Sequence, residues 1–139
     1  MSATEARTYT ILLYSDDAAI RDRMRLAIGR RPASDVRVNF VEAATHDEVI
    51  RLVNDTDLDL LLLDAEAWPA GGMGIARQLR DEVSDCPTIC VVIARAADRW
   101  LAAWSRADAV LLHPLDPVET AETVADLLRR RAGALSSGR

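Results

Sequence analysis

Clusters of positive charge are scarce in this sequence. Its 139 residues carry a formal net charge of −5, whereas counterion release on nucleic acid needs gathered Lys and Arg. The visible group, Arg129 to Arg131, falls where a helix C-terminus favours cations. No nucleic acid partner is expected. Long apolar runs are missing as well. None approaches the ~20 residues that span a bilayer, and Met1 to Tyr9 is polar, without a signal-peptide core. These absences predict a cytosolic protein that does not insert into a membrane. Cysteine is nearly absent: Cys86 and Cys90 stand alone, and Cys90 lies in a predicted buried strand. Reduced core thiols are favoured over a disulfide or a metal pair. No internal repeat interrupts the chain. One domain is expected over residues 9–131, between a flexible N-terminus (1–8) and a flexible tail (132–139).

What is present suits a globular domain, with 50% hydrophobic and 28% charged residues. Ile11 to Tyr14 is an apolar run too short for a helix, followed by polar Ser15-Asp16-Asp17, which predicts a buried strand ending in a loop. Ile20, Met24, Ala27 and Ile28 share one helical face. Val36 to Val41 reads as a second strand, and Thr45 with Glu48 makes a capping box for a helix carrying Val49, Ile50 and Val53. Leu58 to Leu63, ending in Asp64, is a centre-of-sheet strand. A loop with Pro69, Gly71 and Gly72 leads to a helix with Ile75, Leu79 and Val83 inward. Thr88 to Ile93 is a fourth strand, Ala97 to Arg106 a helix, and Ala109 to Leu112 a fifth strand. Asp116 caps a last helix with Pro117 at its first position. Five βα units predict a parallel five-stranded sheet, doubly wound, with helices on both faces. Its functional crevice lies beyond the carboxyl ends of the strands, which here carry Ser15, Asp16, Asp64, Ile93 and His113.

Two readings fit the acids at that crevice. Asp16 and Asp64 could hold a hard divalent ion such as Mg²⁺, which prefers carboxylate and water oxygens. Alternatively, Asp16 and Asp17 cap the first helix while Asp64 merely ends its strand. The segments ILLYSDDAAIR, DLDLLLLD, GGMGIARQLRDE and LLHPLDP together resemble the response-regulator receiver family over roughly residues 9 to 131. The resemblance implies the flavodoxin-like (βα)5 fold. More narrowly, YSDD, GGMGIARQLRDE, WLAAWSRA and HPLDP resemble stand-alone actinobacterial (mycobacterial-type) orphan receivers associated with respiratory complex I, the type I NADH dehydrogenase. That implies a partner in the peripheral, cytoplasmic part of complex I and a place at the cytoplasmic face of the membrane through it.

Carried over residue by residue, the resemblance makes Asp64 the phosphoacceptor position and Asp16 the metal-binding acid. The other acid is replaced by Ser15, the phosphoryl-binding Thr/Ser by Ile93, and the Lys by His113. The aromatic switch falls at Val110, and the Pro after the phosphoacceptor comes one place late, at Pro69. Ile93 has no hydroxyl to offer a phosphoryl oxygen, and an imidazole is a fixed cation only below its ordinary pKa of ~6.5. The expectation is a degenerate pseudo-receiver: not an enzyme, no cofactor beyond weak Mg²⁺ at Asp16 and Asp64, and acting as an accessory or regulatory interaction module. The alternative is a phosphorylatable single-domain regulator of a two-component system.

His113 is read as tolerated beside Pro114 at a strand end, with a pH-sensitive or partner-contacting role as the competing reading; His46 is read as facing water. Gly71-Gly72-Met73-Gly74 lacks the Lys of a phosphate loop. Trp100 and Trp104 are four apart and share one helix side. They are either core or docking anchors, with Trp100 expected half-buried and Trp104 the more exposed. Trp68 lies in the loop beside Asp64.

Overall fold

The protein, as a computed structural model, is described over residues 6–137, with side chains described to 134. Its elements alternate as the hydrophobic pattern requires: β1 (Arg7–Tyr14), α1 (Ala18–Ile28), β2 (Val36–Ala43), α2 (His46–Asp55), β3 (Leu60–Asp64), α3 (Gly72–Glu82), β4 (Thr88–Ile93), α4 (Arg99–Trp104), β5 (Ala109–Leu112) and α5 (Pro117–Ser137). A single 3-10 turn, Ala96–Asp98, precedes α4. The five strands form one sheet in the order β2-β1-β3-β4-β5, all parallel. This is the doubly wound (βα)5 architecture expected.

Strand periodicity divides the core into two layers. Ile11 and Leu13 of β1, Leu60 and Leu62 of β3, and Cys90 and Val92 of β4 pack with Met24, Ile28, Val124 and Leu128 of α1 and α5. Their alternates, Leu12, Tyr14, Leu61, Leu63, Ile89 and Val91, pack with Val49, Ile75, Leu79 and Ala102 of α2, α3 and α4. Both faces of β1, β3 and β4 are therefore covered, which explains why they are continuous apolar runs rather than alternating ones.

Helix starts follow the capping residues. The carboxylate of Asp17 accepts the Ala19 N–H at 2.9 Å, Thr45 Oγ1 accepts the Glu48 N–H at 3.2 Å, and Asp116 accepts the Glu119 N–H at 2.7 Å. Gly72 is required by a close approach, since a Cβ there would lie 2.8 Å from Leu63 Cβ and 2.9 Å from Asp64 O. That contact sets the start of α3 directly against the end of β3.

Several boundaries depart from expectation. Strand β1 begins at Arg7, because the sheet register continues past the apolar run through Arg7↔Val36 and Thr8↔Arg37. The N-terminal segment expected to be flexible therefore ends earlier, and residues 1–5 lie outside the described residues. The tail is corrected too: α5 runs on to Ser137, so 132–137 are helical, while 138–139 lie outside the described residues. Arg129 to Arg131 thus sit within the helix rather than at its end. Arg129 pairs with Asp35, Arg130 with Asp126, and Arg131 donates to Cys86 O. Both cysteines are free, and burial pushes the Cys90 thiol up to about 12.

Candidate functional site: a closed acidic pocket

The crevice at the carboxyl ends of the strands is where the sequence-identified residues converge. Asp64, the last residue of β3, is only 3% exposed. Ser15, immediately beyond β1, is fully buried, and its Oγ donates to Asp64 Oδ2 at 2.8 Å. The Glu66 N–H donates to Asp64 Oδ1 at 2.9 Å, and His113 Nε2 stands 3.3 Å from the same oxygen. Both carboxylate oxygens are engaged. Burial pushes the Asp64 pKa up, but the His113 contact, the Glu66 N–H and the Ser15 hydroxyl outweigh it, leaving the carboxyl below its ordinary value.

Ser15 is itself fixed in place. Its Oγ accepts the Asp17 N–H at 3.1 Å, and its carbonyl accepts from the Arg21 guanidinium at 2.7 Å. A serine here is short enough to sit wholly inside and to spend its hydroxyl on Asp64. Ile93 is also fully buried, so the end of β4 brings no polar group to the pocket. No lysine can substitute from elsewhere, because all 17 basic residues of the chain are arginines.

Asp16 faces outward, and its Oδ1 accepts the Trp68 N–H at 3.1 Å. It reaches the β3–α3 loop, not Asp64. Tyr14 adds a hydrogen bond from its hydroxyl to Ala70 O at 2.5 Å, and burial, then Asp16 and Asp64, push its pKa up. Sequence reasoning missed the supports from Arg21, Tyr14 and the Glu66 N–H, since a backbone donor and a contact across the fold leave no local pattern.

The donor set can be tested against a divalent ion. Mg²⁺ demands near-octahedral oxygen ligation, yet both Asp64 oxygens and one Asp16 oxygen already accept hydrogen bonds. Among the described residues no group of three or more His, Cys, Asp or Glu is gathered for a metal. Each carboxylate nevertheless keeps a lone pair beyond its hydrogen bonds, so Asp16 and Asp64 are compatible with weakly held Mg²⁺.

The tryptophans correct two expectations. Trp100 is 69% exposed and Trp104 51%, so Trp100 is not half-buried and is the more exposed of the two. Helix α4 is only six residues long, and Ala102 is its buried contact with the sheet. Residues two places to either side turn about 200° away from it. Trp104 is the partly covered one because the Arg77 guanidinium lies 5.5 Å from its ring centroid and donates to its carbonyl at 2.8 Å. Trp68 is 77% exposed and does not cover the pocket. His46 is not simply solvated either: its Nε2 lies 2.6 Å from Gln78 Oε1, linking α2 to α3.

Solved receivers share this architecture. The signal receiver domain of an HD-domain protein from Pseudomonas fluorescens superposes with a TM-score of 0.78 at 17% identity, covering 98% of each chain. A Thermotoga maritima response regulator, solved in complex with Mg²⁺–BeF, gives 0.69 at 22% identity, covering 86% of this chain and 98% of the other. These define the class of fold: a receiver-type α/β domain. No family model matches the chain. An uncharacterized response regulatory protein of Mycobacterium tuberculosis, found in strains CDC 1551 and H37Rv, is 48% identical over 123 residues, covering 88% of this chain and 92% of that one. The chain belongs to the response-regulator receiver family. Among the described residues, no helix is long and apolar enough to cross a membrane.

Proposed function

We propose that this chain is a degenerate receiver, in which the phosphoacceptor-position carboxylate has become part of a fixed hydrogen-bond set, and that it acts as a stand-alone protein-interaction module. The observation that carries this reading is the direct Ser15 Oγ to Asp64 Oδ2 bond at 2.8 Å, with Oδ1 held by the Glu66 N–H and by His113. Phosphoryl transfer is catalysed by positioning and by cationic stabilisation of the equatorial oxygens. Here the attacking oxygens are engaged, Ile93 offers no hydroxyl, and no lysine is near. A phosphoryl group on Asp64 would also have to displace Ser15 from a fully buried position.

The output surface of this module is the outer side of α4, where Trp100 and Trp104 stand exposed beside a shallow groove of about 220 Å³ lined by Arg99, four alanines and Val110. Indoles in such positions act as interface anchors. The partner proposed, from the resemblance to orphan actinobacterial receivers, is the peripheral cytoplasmic part of respiratory complex I. The role is accessory or regulatory, and the location is the cytoplasmic face of the membrane.

A second reading has its own support. Asp64 is held ionised, as a phosphoacceptor must be, and Asp16 keeps one metal-binding acid close by. In that case the chain is a single-domain two-component regulator with weak Mg²⁺ at Asp16 and Asp64.

Affinity capture of the tagged chain from native membranes tests the first reading. Recovery of the peripheral-arm subunits of complex I, undiminished for Asp64→Asn, is the expected result. Capture of a histidine kinase in their place, lost with Asp64→Asn, contradicts it.

A further inference from the structure

A second surface stands apart from both the acidic pocket and the tryptophans. Strand β2 pairs with β1 on one side and forms an edge of the sheet, its outer side bridged at Val36 to Ala33. The Val36 and Val38 N–H groups turn outward, to Ala33 O at 3.1 Å and Arg30 O at 2.9 Å. The two-residue period of a parallel ladder then turns the Phe40 and Glu42 backbone groups outward too, and among the described residues no backbone group across the edge meets them. Exposed edges of this kind are templates for another strand.

Beside this edge runs a groove of about 1060 Å³ between α1 and β2. Its walls bring four guanidinium groups, Arg25, Arg30, Arg31 and Arg37, against two carboxylates, Asp22 and Glu42. Arg25 pairs with both of those acids. Arg31 is turned onto Ser34 O. Arg30 and Arg37 are exposed and make no side-chain hydrogen bond or ion pair among the described residues. Leu26 opens into the same groove at 77% exposure. A basic, partly apolar groove along an open strand edge, in a chain of net charge −5, is complementary to one kind of occupant.

We infer that the β2 edge groove docks an acidic, extended segment of a partner protein, which adds a short strand beside Phe40 and Glu42 and sets its carboxylates against Arg30 and Arg37. Main-chain hydrogen bonds supply the affinity and the side-chain positions the selectivity, as in other strand additions. A peptide fits better than nucleic acid or a lipid surface. The open N–H and C=O groups are matched by another peptide backbone, which neither a chain of phosphates nor a lipid headgroup supplies. This rests on the interaction-module reading and gives that module a second contact.

The test is a titration of the full chain, labelled with ¹⁵N and ¹³C, with a blocked eight-residue peptide alternating Glu and Val, followed by NMR. The expected result is saturable shifts of the Phe40 and Glu42 amides and of the Leu26 methyl groups. Arg30→Glu/Arg37→Glu should weaken binding at least tenfold with an unchanged melting temperature, and a peptide with Lys in place of Glu should leave the spectrum unmoved. Unchanged affinity in the double variant overturns the assignment. So does saturation of the same residues by a single-stranded oligonucleotide or phosphatidylglycerol vesicles at lower concentrations than the peptide. Capture of the complex I arm separates the two levels. If wild type and the double variant capture it equally, the groove assignment fails and the module stands; if neither does, the module reading fails and takes the groove with it.

Discussion

The acidic pocket and the outer side of α4 have exchanged the properties usually wanted of a phosphorylation switch. The pocket holds its chemistry inside: Asp64 is 3% exposed and Ser15 fully buried, with both Asp64 carboxylate oxygens partnered. Helix α4 instead turns its largest side chains outward, with Trp100 69% exposed and Trp104 51%. A buried, satisfied polar set resists change, because breaking any bond leaves a desolvated group without a partner. An exposed indole gains most by being covered. On the proposed function, the contrast puts structural cost in the pocket and leaves the helix free to supply binding energy.

The largest expected effect breaks the comparison on the binding side. Replacing both Trp100 and Trp104 by alanine should weaken association with the proposed partner, the peripheral arm of complex I, by at least about 30-fold, at a hot-spot value of ~2 kcal/mol or more for the pair's stronger member. The melting temperature should fall by no more than a few degrees, the cost of losing the Arg77 contact with Trp104, since neither ring is buried. Unfolding of the isolated double variant would show that the indoles belong to the core.

On the pocket side, Asp64→Ala should cost about 1–3 kcal/mol of folding stability by chemical denaturation, because it strands the Ser15 hydroxyl and the Glu66 N–H. Association should remain. Asp64→Asn, which keeps an acceptor, should cost less. If Asp64→Ala is neutral or stabilising, the hydrogen-bond set does not outweigh the burial of the charge.

Acid sharpens the same point. The folded-state pKa of Asp64 lies below its ordinary value of about 3.9, so the unfolded chain binds the proton more readily. The contribution of Asp64 is therefore fully present above about pH 4–5 and is lost as pH falls through the folded-state pKa. The stability difference between wild type and Asp64→Asn should shift against wild type as pH falls below about 4. A difference that instead grows in favour of wild type in acid has the wrong sign for this arrangement.

The smallest effect concerns Arg77, whose guanidinium lies over Trp104. Arg77→Ala should cost about 0.5–1 kcal/mol, the range of exposed cation–π pairs, read from the denaturation midpoint. It should also loosen Trp104, seen as a change in indole fluorescence quenching.

The alternation of apolar runs made the sheet and its five crossovers legible, and the strand-end rule located Ser15, Asp16, Asp64, Ile93 and His113 in one crevice. What stayed hidden depended on contacts distant in sequence. Nothing near Asp64 announced that Ser15 would donate to it, 49 residues away, nor that Asp16 would turn to Trp68 instead. The exposures of Trp100 and Trp104 were inverted because α4 is short and Arg77 comes from α3. The tail was misread because α5 continues through Gly133 to Ser137, past a residue that ordinarily weakens helices.

The most direct test of the pocket is the intact mass of the protein after incubation with Mg²⁺ and phosphoramidate. A carboxylate held by Ser15, Glu66 and His113, with no hydroxyl at Ile93 and no lysine, should leave the mass unchanged. A stable gain of about 80 Da, the mass of one phosphoryl group, present in wild type and absent in Asp64→Asn, would contradict the account and restore Asp64 as a working phosphoacceptor.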